Sequence, residues 1–197
     1  YTGASFCAAV NSGTSALHIA CLSAGVGSGD EVITSSNTFV ASANCAAYCG
    51  AKPIFADIDE RTYNISPEDI EKKISVRTRA VIPVHFAGQS ADMDAIGAIV
   101  RRAQEKFGKK IYIIEDASHA LGSLYLNEKV GSGTYSDMTI LSFHPVKHIT
   151  TGEGGAVLTN EQSLHRKLCL FRSHGITTFV DELTQESEAF EPVENDD

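Results

Sequence analysis

Short apolar runs bounded by turn residues alternate along this chain with stretches long enough for helices, and this alternation restricts the fold more than any other feature. Strand-like runs occupy residues 6–10, 31–34, 53–56, 80–84, 111–114, 138–142 and 156–159. Helix-like segments fall between them at 15–24, 38–49, 93–106 and 161–171. A further helix starts where Ser66 can cap and Pro67 takes the first helical position, with acids in its first turn. Gly108 closes the long fourth helix. Strands that alternate with helices predict an α/β domain with a mainly parallel sheet between helical layers. In such sheets ligands sit beyond the carboxyl ends of the strands, so the residues just after each strand are the ones to read for chemistry.

The 197 residues suffice for one large domain. The net charge of −9 is concentrated at one end. From Thr178 onward there are eight acids and no Lys or Arg, which leaves 17 acids against 16 bases in the rest. That tail, 178–197, reads as a solvated, disordered end. No basic patch points to nucleic acid, and no run approaches the length of a membrane span. Five cysteines, an odd number with no C-x-x-C, read as free thiols. With no export signal they favour the cytoplasm. The first residues, Tyr1-Thr2-Gly3-Ala4, enter a strand almost at once, and we expect the domain to be cut at both ends.

Several residues after strands are suited to chemistry. Ser12-Gly13-Thr14-Ser15 lies between a strand and a helix, where unpaired N–H groups make either an anion site or an ordinary N-cap. Gly25-Val26-Gly27-Ser28-Gly29 follows a helix and precedes a strand, the wrong order for a dinucleotide fingerprint, and reads as a helix stop. Asp116 ends an apolar strand and should face a cation or a donor. No companion ligands at metal spacing accompany it. His119 reads alone as a structural histidine. Lys147 follows a strand and precedes Thr150-Thr151-Gly152-Glu153-Gly154-Gly155. It is either a solvated surface lysine or an imine-forming nucleophile in a tightly turned loop.

The order of these segments is more specific than any one of them. Ser12 to Leu17, Asn37-Thr38-Phe39, Glu115-Asp116-Ala117-Ser118-His119-Ala120, Ser142-Phe143-His144-Pro145-Val146-Lys147 and Gly152-Glu153-Gly154-Gly155 together resemble the DegT/DnrJ/EryC1/StrS family of sugar aminotransferases. The resemblance runs from about Ala4 to Ile176. It implies the large domain of PLP-dependent transferase fold type I (aspartate-aminotransferase-like) over residues 1–177, with pyridoxal 5′-phosphate (PLP) as cofactor. The family's further N-terminal segment and small C-terminal domain find no counterpart in these residues.

By the same resemblance Lys147 is the Schiff-base lysine and Asp116 pairs with the pyridine nitrogen. Phe39 stacks on the ring, and Gly13, Thr14 and Ser15 bind the phosphate with help from Ser142. His119 lies near the ring. A lysine at 147, where dehydrating members carry histidine, favours transamination. Residues 144–155 are most similar to the transaminase of pseudaminic-acid biosynthesis. That resemblance implies L-glutamate as donor, C4 of a UDP-linked 4-keto-6-deoxy-N-acetylhexosamine as acceptor, and a homodimer. Another PLP chemistry on the same fold, a silent fold relative, and a phosphate-binding domain without PLP stay open.

Overall fold

The computed structural model describes residues 1–177; the acidic-tail expectation for 178–197 lies outside the described residues. Among the described residues nine strands and five α-helices succeed one another, the seven expected strands joined by a short unforeseen pair, β6 and β7: β1 (Phe6–Val10), α1 (Gly13–Ser23), β2 (Glu31–Ser35), α2 (Ala41–Tyr48), β3 (Lys52–Ala56), α3 (Pro67–Lys73), β4 (Thr78–Ile82), α4 (Met93–Phe107), β5 (Tyr112–Asp116), β6 (Leu124–Tyr125), β7 (Glu128–Lys129), β8 (Met138–Ser142), β9 (Gly155–Thr159) and α5 (Gln162–Arg172). Seven strands form one sheet in the order β1-β9-β8-β5-β4-β2-β3. The β3–β2–β4–β5–β8 pairings are parallel. The strand β9 is the exception, antiparallel to both of its neighbours, β8 and β1.

Helix ends obey the local chemistry. Ser66 Oγ accepts the Asp69 N–H at 3.2 Å, with Pro67 next to it, and starts α3. Asp92 Oδ1 accepts the Ala95 N–H at 3.1 Å and starts α4, which ends at Gly108 in the left-handed region (φ 63°). On α4, Met93, Ile96, Ile99, Val100 and Ala103 recur at helical spacing and are buried. They pack with Ile70 of α3 against Ile33, Val81 and Ile113 on one face of the sheet. The other face, with Val32, Ala80, Ile82, Ile114 and Ile140, is covered by residues of α1, α2 and α5. Strands buried on both faces explain the uninterrupted apolar runs in the sequence.

Side chains alternate along β5, so Ile113 belongs to the first core and Ile114 to the second. Glu115 and Asp116 therefore leave the sheet on opposite faces. Glu115 accepts a 2.9 Å hydrogen bond from His85 Nε2. Nδ1 of that ring accepts the Ala91 N–H at 3.0 Å, which leaves the ring proton on Nε2. Asp116 is delivered to the side of α1 and α2.

Candidate active site

An open cleft of about 550 Å³ lies along the carboxyl rim of the sheet. The strands that reach it each contribute the residues at and just beyond their carboxyl ends. Ser12, Gly13 and Thr14 come after β1; Asn37, Thr38 and Phe39 after β2; Val84 and Phe86 after β4; Ser118 and His119 after β5, which itself ends in Asp116. The last strand of the set, β8, brings Ser142 and then His144, Val146 and Lys147. Because β9 runs antiparallel to β8, a residue shortly before it, Glu153, joins the same rim.

The amino end of α1 shows why glycine stands at 13. Ser12 caps the helix, its Oγ accepting the Ser15 N–H at 3.0 Å, and its carbonyl accepts the Ala16 N–H at 3.0 Å. The amides of Gly13 and Thr14, at the first two helical positions, have no intrahelical partner. A Cβ on Gly13 would stand 3.0 Å from Ser142 Cβ and 3.2 Å from Ser142 Oγ. A side chain here would force Ser142 to give by a few tenths of an ångström, so a bare α-carbon suits the close approach of the helix end to β8. A Cβ on Gly155 would clash outright with the Ser12 carbonyl and the Gly13 amide nitrogen, backbone atoms that cannot step aside. Ser15 does not line the cleft: its hydroxyl donates to Asn11 Oδ1 at 2.6 Å and lies 3.0 Å from Ser12 Oγ.

Asp116 is nearly enclosed, at 5% exposure, and three donors converge on it. Ser118 gives Oδ1 its hydroxyl at 2.6 Å and its N–H at 3.2 Å. Ser42, from the first turn of α2, gives Oδ2 its hydroxyl at 2.7 Å. A carboxylate accepts about four hydrogen bonds, so capacity remains for a donor from the cleft.

Lys147 sits in a loop folded on itself. Its own N–H donates to the His144 carbonyl at 2.9 Å, and the Phe143 carbonyl accepts from Thr150 Oγ1 at 3.0 Å and from the Thr151 N–H at 3.1 Å. The side chain is half-buried, and among the described residues Nζ has no hydrogen-bond or ion-pair partner. Burial pushes the His119 imidazole below its usual range, and the nearby charge of Lys147 adds to this against the opposing pull of Asp116. Phe39 presents an exposed ring, 73% accessible, on the rim.

Of the residues singled out in the sequence, the structure brings together Gly13, Thr14, Phe39, Asp116, His119, Ser142 and Lys147, and leaves Ser15 behind the helix cap. The residue that sequence reasoning missed is Ser42. It lies in an alanine-rich helix with no motif around it, 74 positions from its partner Asp116.

Comparison with known proteins gives the cleft a context. The DegT/DnrJ/EryC1/StrS aminotransferase family matches residues 1–190, extending past Ile176, where the sequence reading ends the resemblance. GDP-perosamine synthase of Caulobacter vibrioides is 44% identical over 176 residues, covering 89% of this chain and 45% of that protein. The crystal structure of DesV from S. venezuelae superimposes with a TM-score of 0.82 at 35% identity, covering 94% of this chain and 48% of the other. NtdA from Bacillus subtilis, solved with bound cofactor PMP, gives a TM-score of 0.76 at 35% identity, covering 85% and 36%. The chain spans less than half the length of the curated relatives it matches.

Proposed function

The chain belongs to the DegT/DnrJ/EryC1/StrS aminotransferase family, and from that premise we propose that its cleft holds PLP and serves a nucleotide-sugar aminotransferase. The amino group of L-glutamate goes to C4 of a UDP-linked 4-keto-6-deoxy-N-acetylhexosamine. Glutamate leaves as 2-oxoglutarate, and the keto oxygen is replaced by an amine. The observation that carries the reading is Lys147: a half-buried lysine with no partner among the described residues, on the same cleft as a buried carboxylate and two unpaired helix amides.

The residues present fit the cofactor. Gly13 and Thr14 offer N–H groups at a helix amino end, where a phosphate is favoured by both hydrogen bonding and the dipole. The Ser142 hydroxyl stands beside them. Asp116, held by Ser118 and Ser42, would keep a proton on the cofactor's ring nitrogen. Phe39 supplies an exposed ring for stacking. His119, its titration lowered chiefly by burial, lines the same cleft and would stand among the residues around the cofactor. We assign the nucleophile to Lys147, whose Nζ would hold the cofactor aldehyde carbon. When bound, PLP supplies an electron sink for the C–H bond broken beside the transferred nitrogen. In that position Lys147 Nζ would both anchor the cofactor and move a proton at the donor carbon, serving as anchor and base.

The finer choice of acceptor rests on residues 144–155, the stretch that resembles the pseudaminic-acid transaminase. Phe39, Val40, Val146 and Ile149 are each more than half accessible, and we place a second copy of the chain over them. Five free cysteines suit a reducing compartment, and we place the reaction in the cytoplasm. Among the described residues, no helix is long and apolar enough to cross a membrane.

The test is incubation with PLP, L-glutamate and the UDP-4-keto sugar, and then mass spectrometry of the sugar nucleotide. The reading predicts a product with an amine in place of the keto oxygen, formed together with 2-oxoglutarate. Consumption of glutamate without an aminated sugar would place the site in another PLP chemistry.

A further inference from the structure

We propose that Ser42 is a positioning residue for Asp116, tying the loop that carries Phe39 to the carboxylate; this rests on reading the cleft as a PLP site. The two oxygens of Asp116 are held differently. Oδ1 is bound by its own turn, through the N–H and hydroxyl of Ser118 two residues on. Oδ2 is bound from a separate element, by the fully buried Ser42 of α2 at 2.7 Å. Local bonds alone let a carboxylate swing with its turn. A donor fixed in a helix of the opposing layer selects one orientation.

Directionality extends the contact. A serine hydroxyl has one hydrogen, and that of Ser42 is given to Asp116. The Ser42 oxygen, 2.8 Å from Thr38 Oγ1, must therefore accept there, with Thr38 as donor. Thr38 lines the cleft and is the immediate neighbour of Phe39. The chain Thr38 to Ser42 to Asp116 thus joins the stacking loop to the group that would meet the ring nitrogen. Burial of a serine does not by itself create such a link. Ser23 of α1 is equally buried, and its hydroxyl has no partner among the described residues.

The experiment compares the parent chain with Ser42→Ala, Thr38→Val, the double variant and Ser23→Ala. PLP affinity is measured by absorbance titration, and the Asp116 side-chain carboxyl carbon is tracked by NMR in the cofactor-free protein. Loss of a hydrogen bond to a charged group predicts about tenfold weaker PLP binding for Ser42→Ala, with a moved Asp116 resonance. Thr38→Val should cost about threefold, and the double variant no more than Ser42→Ala, since both act through one chain. Ser23→Ala should change neither readout. Should Ser42→Ala fail to fold, Thr38→Val, on the half-exposed loop, must still move both.

Parent-like affinity and an unmoved resonance in Ser42→Ala, or full additivity in the double variant, would overturn the inference alone. A parent chain that binds no PLP overturns the reading of the cleft, and this inference with it.

Discussion

The two ends of the same sheet are built for opposite tasks. At the amino ends of the strands, charges are closed against one another. Glu31 accepts from Ser75 Oγ at 2.6 Å and from Arg77 Nε and Nη2 at 2.9 and 2.6 Å. Asp137 accepts from Lys110 Nζ at 2.6 Å and from the Ile113 N–H at 2.8 Å. Asp30 accepts from the Gly27 N–H and from Arg79. At the carboxyl ends, Lys147 has no ion-pair partner among the described residues, two helix amides face a cleft, and Phe39 stands in the open. Paired groups contribute to stability, whereas unpaired groups held in place are what a ligand can use. The difference separates folding from function along a few strands.

The largest effect should come from the open end. On the proposed function, Lys147→Ala should lower transamination by about a thousandfold or more, because it would remove the nucleophile and proton carrier. Its melting temperature should stay within about 2 °C of the parent, because no contact of Nζ is lost. Steady-state assays and a thermal melt check both halves, and a large stability loss would blur the division.

Glu31→Gln should do the reverse, costing about 2 kcal/mol of stability with unchanged PLP affinity. The Ser75 hydroxyl, then Arg77, holds the Glu31 carboxyl below its usual range. Its contribution is therefore present above the ordinary glutamate value of about 4.3 and is lost as pH falls through the lower folded value. Denaturant melts should show a shallower acid limb in Glu31→Gln than in the parent.

Gly13→Ala tests a position where the two tasks meet. Alanine has the higher helix propensity, but at this first helical position its Cβ would press on Ser142 at 3.0 Å. We expect PLP affinity to fall about tenfold while the melting temperature changes little, measured by titration and by melt.

The smallest effect is on His119. Burial is the larger cause of its lowered titration and the charge of Lys147 the next. Lys147→Ala should raise the imidazole midpoint part of the way toward its ordinary value, as tracked by ring NMR. No movement would separate the two residues electrostatically.

Much of this division was legible in the sequence, because parallel strands buried on both faces leave continuous apolar runs and deliver their next residues to one rim. Ser66-Pro67 and Gly108 marked helix ends through chemistry internal to each segment. Other features depend on distant partners. The reversal of β9 leaves no mark on its composition, since it is buried throughout like the parallel strand β2. The β6–β7 hairpin has two-residue strands, too short for any period, with Leu126 and Asn127 in the left-handed region at its turn. Helix α2 starts at Ala41 rather than at Thr38, whose hydroxyl is engaged with Ser42. Gly13, Asp116 and Lys147 could be read from motifs, whereas Ser42 required the fold to bring α2 against the end of β5.

The central claim is that Lys147 is the amine that holds PLP, and covalent trapping tests it most directly. The protein is mixed with PLP, reduced with borohydride, digested and mapped by mass spectrometry. The account predicts phosphopyridoxyl mass on the peptide that contains Lys147, and its disappearance in Lys147→Ala. Mass on a different lysine, or none on a protein shown to be folded, would contradict it.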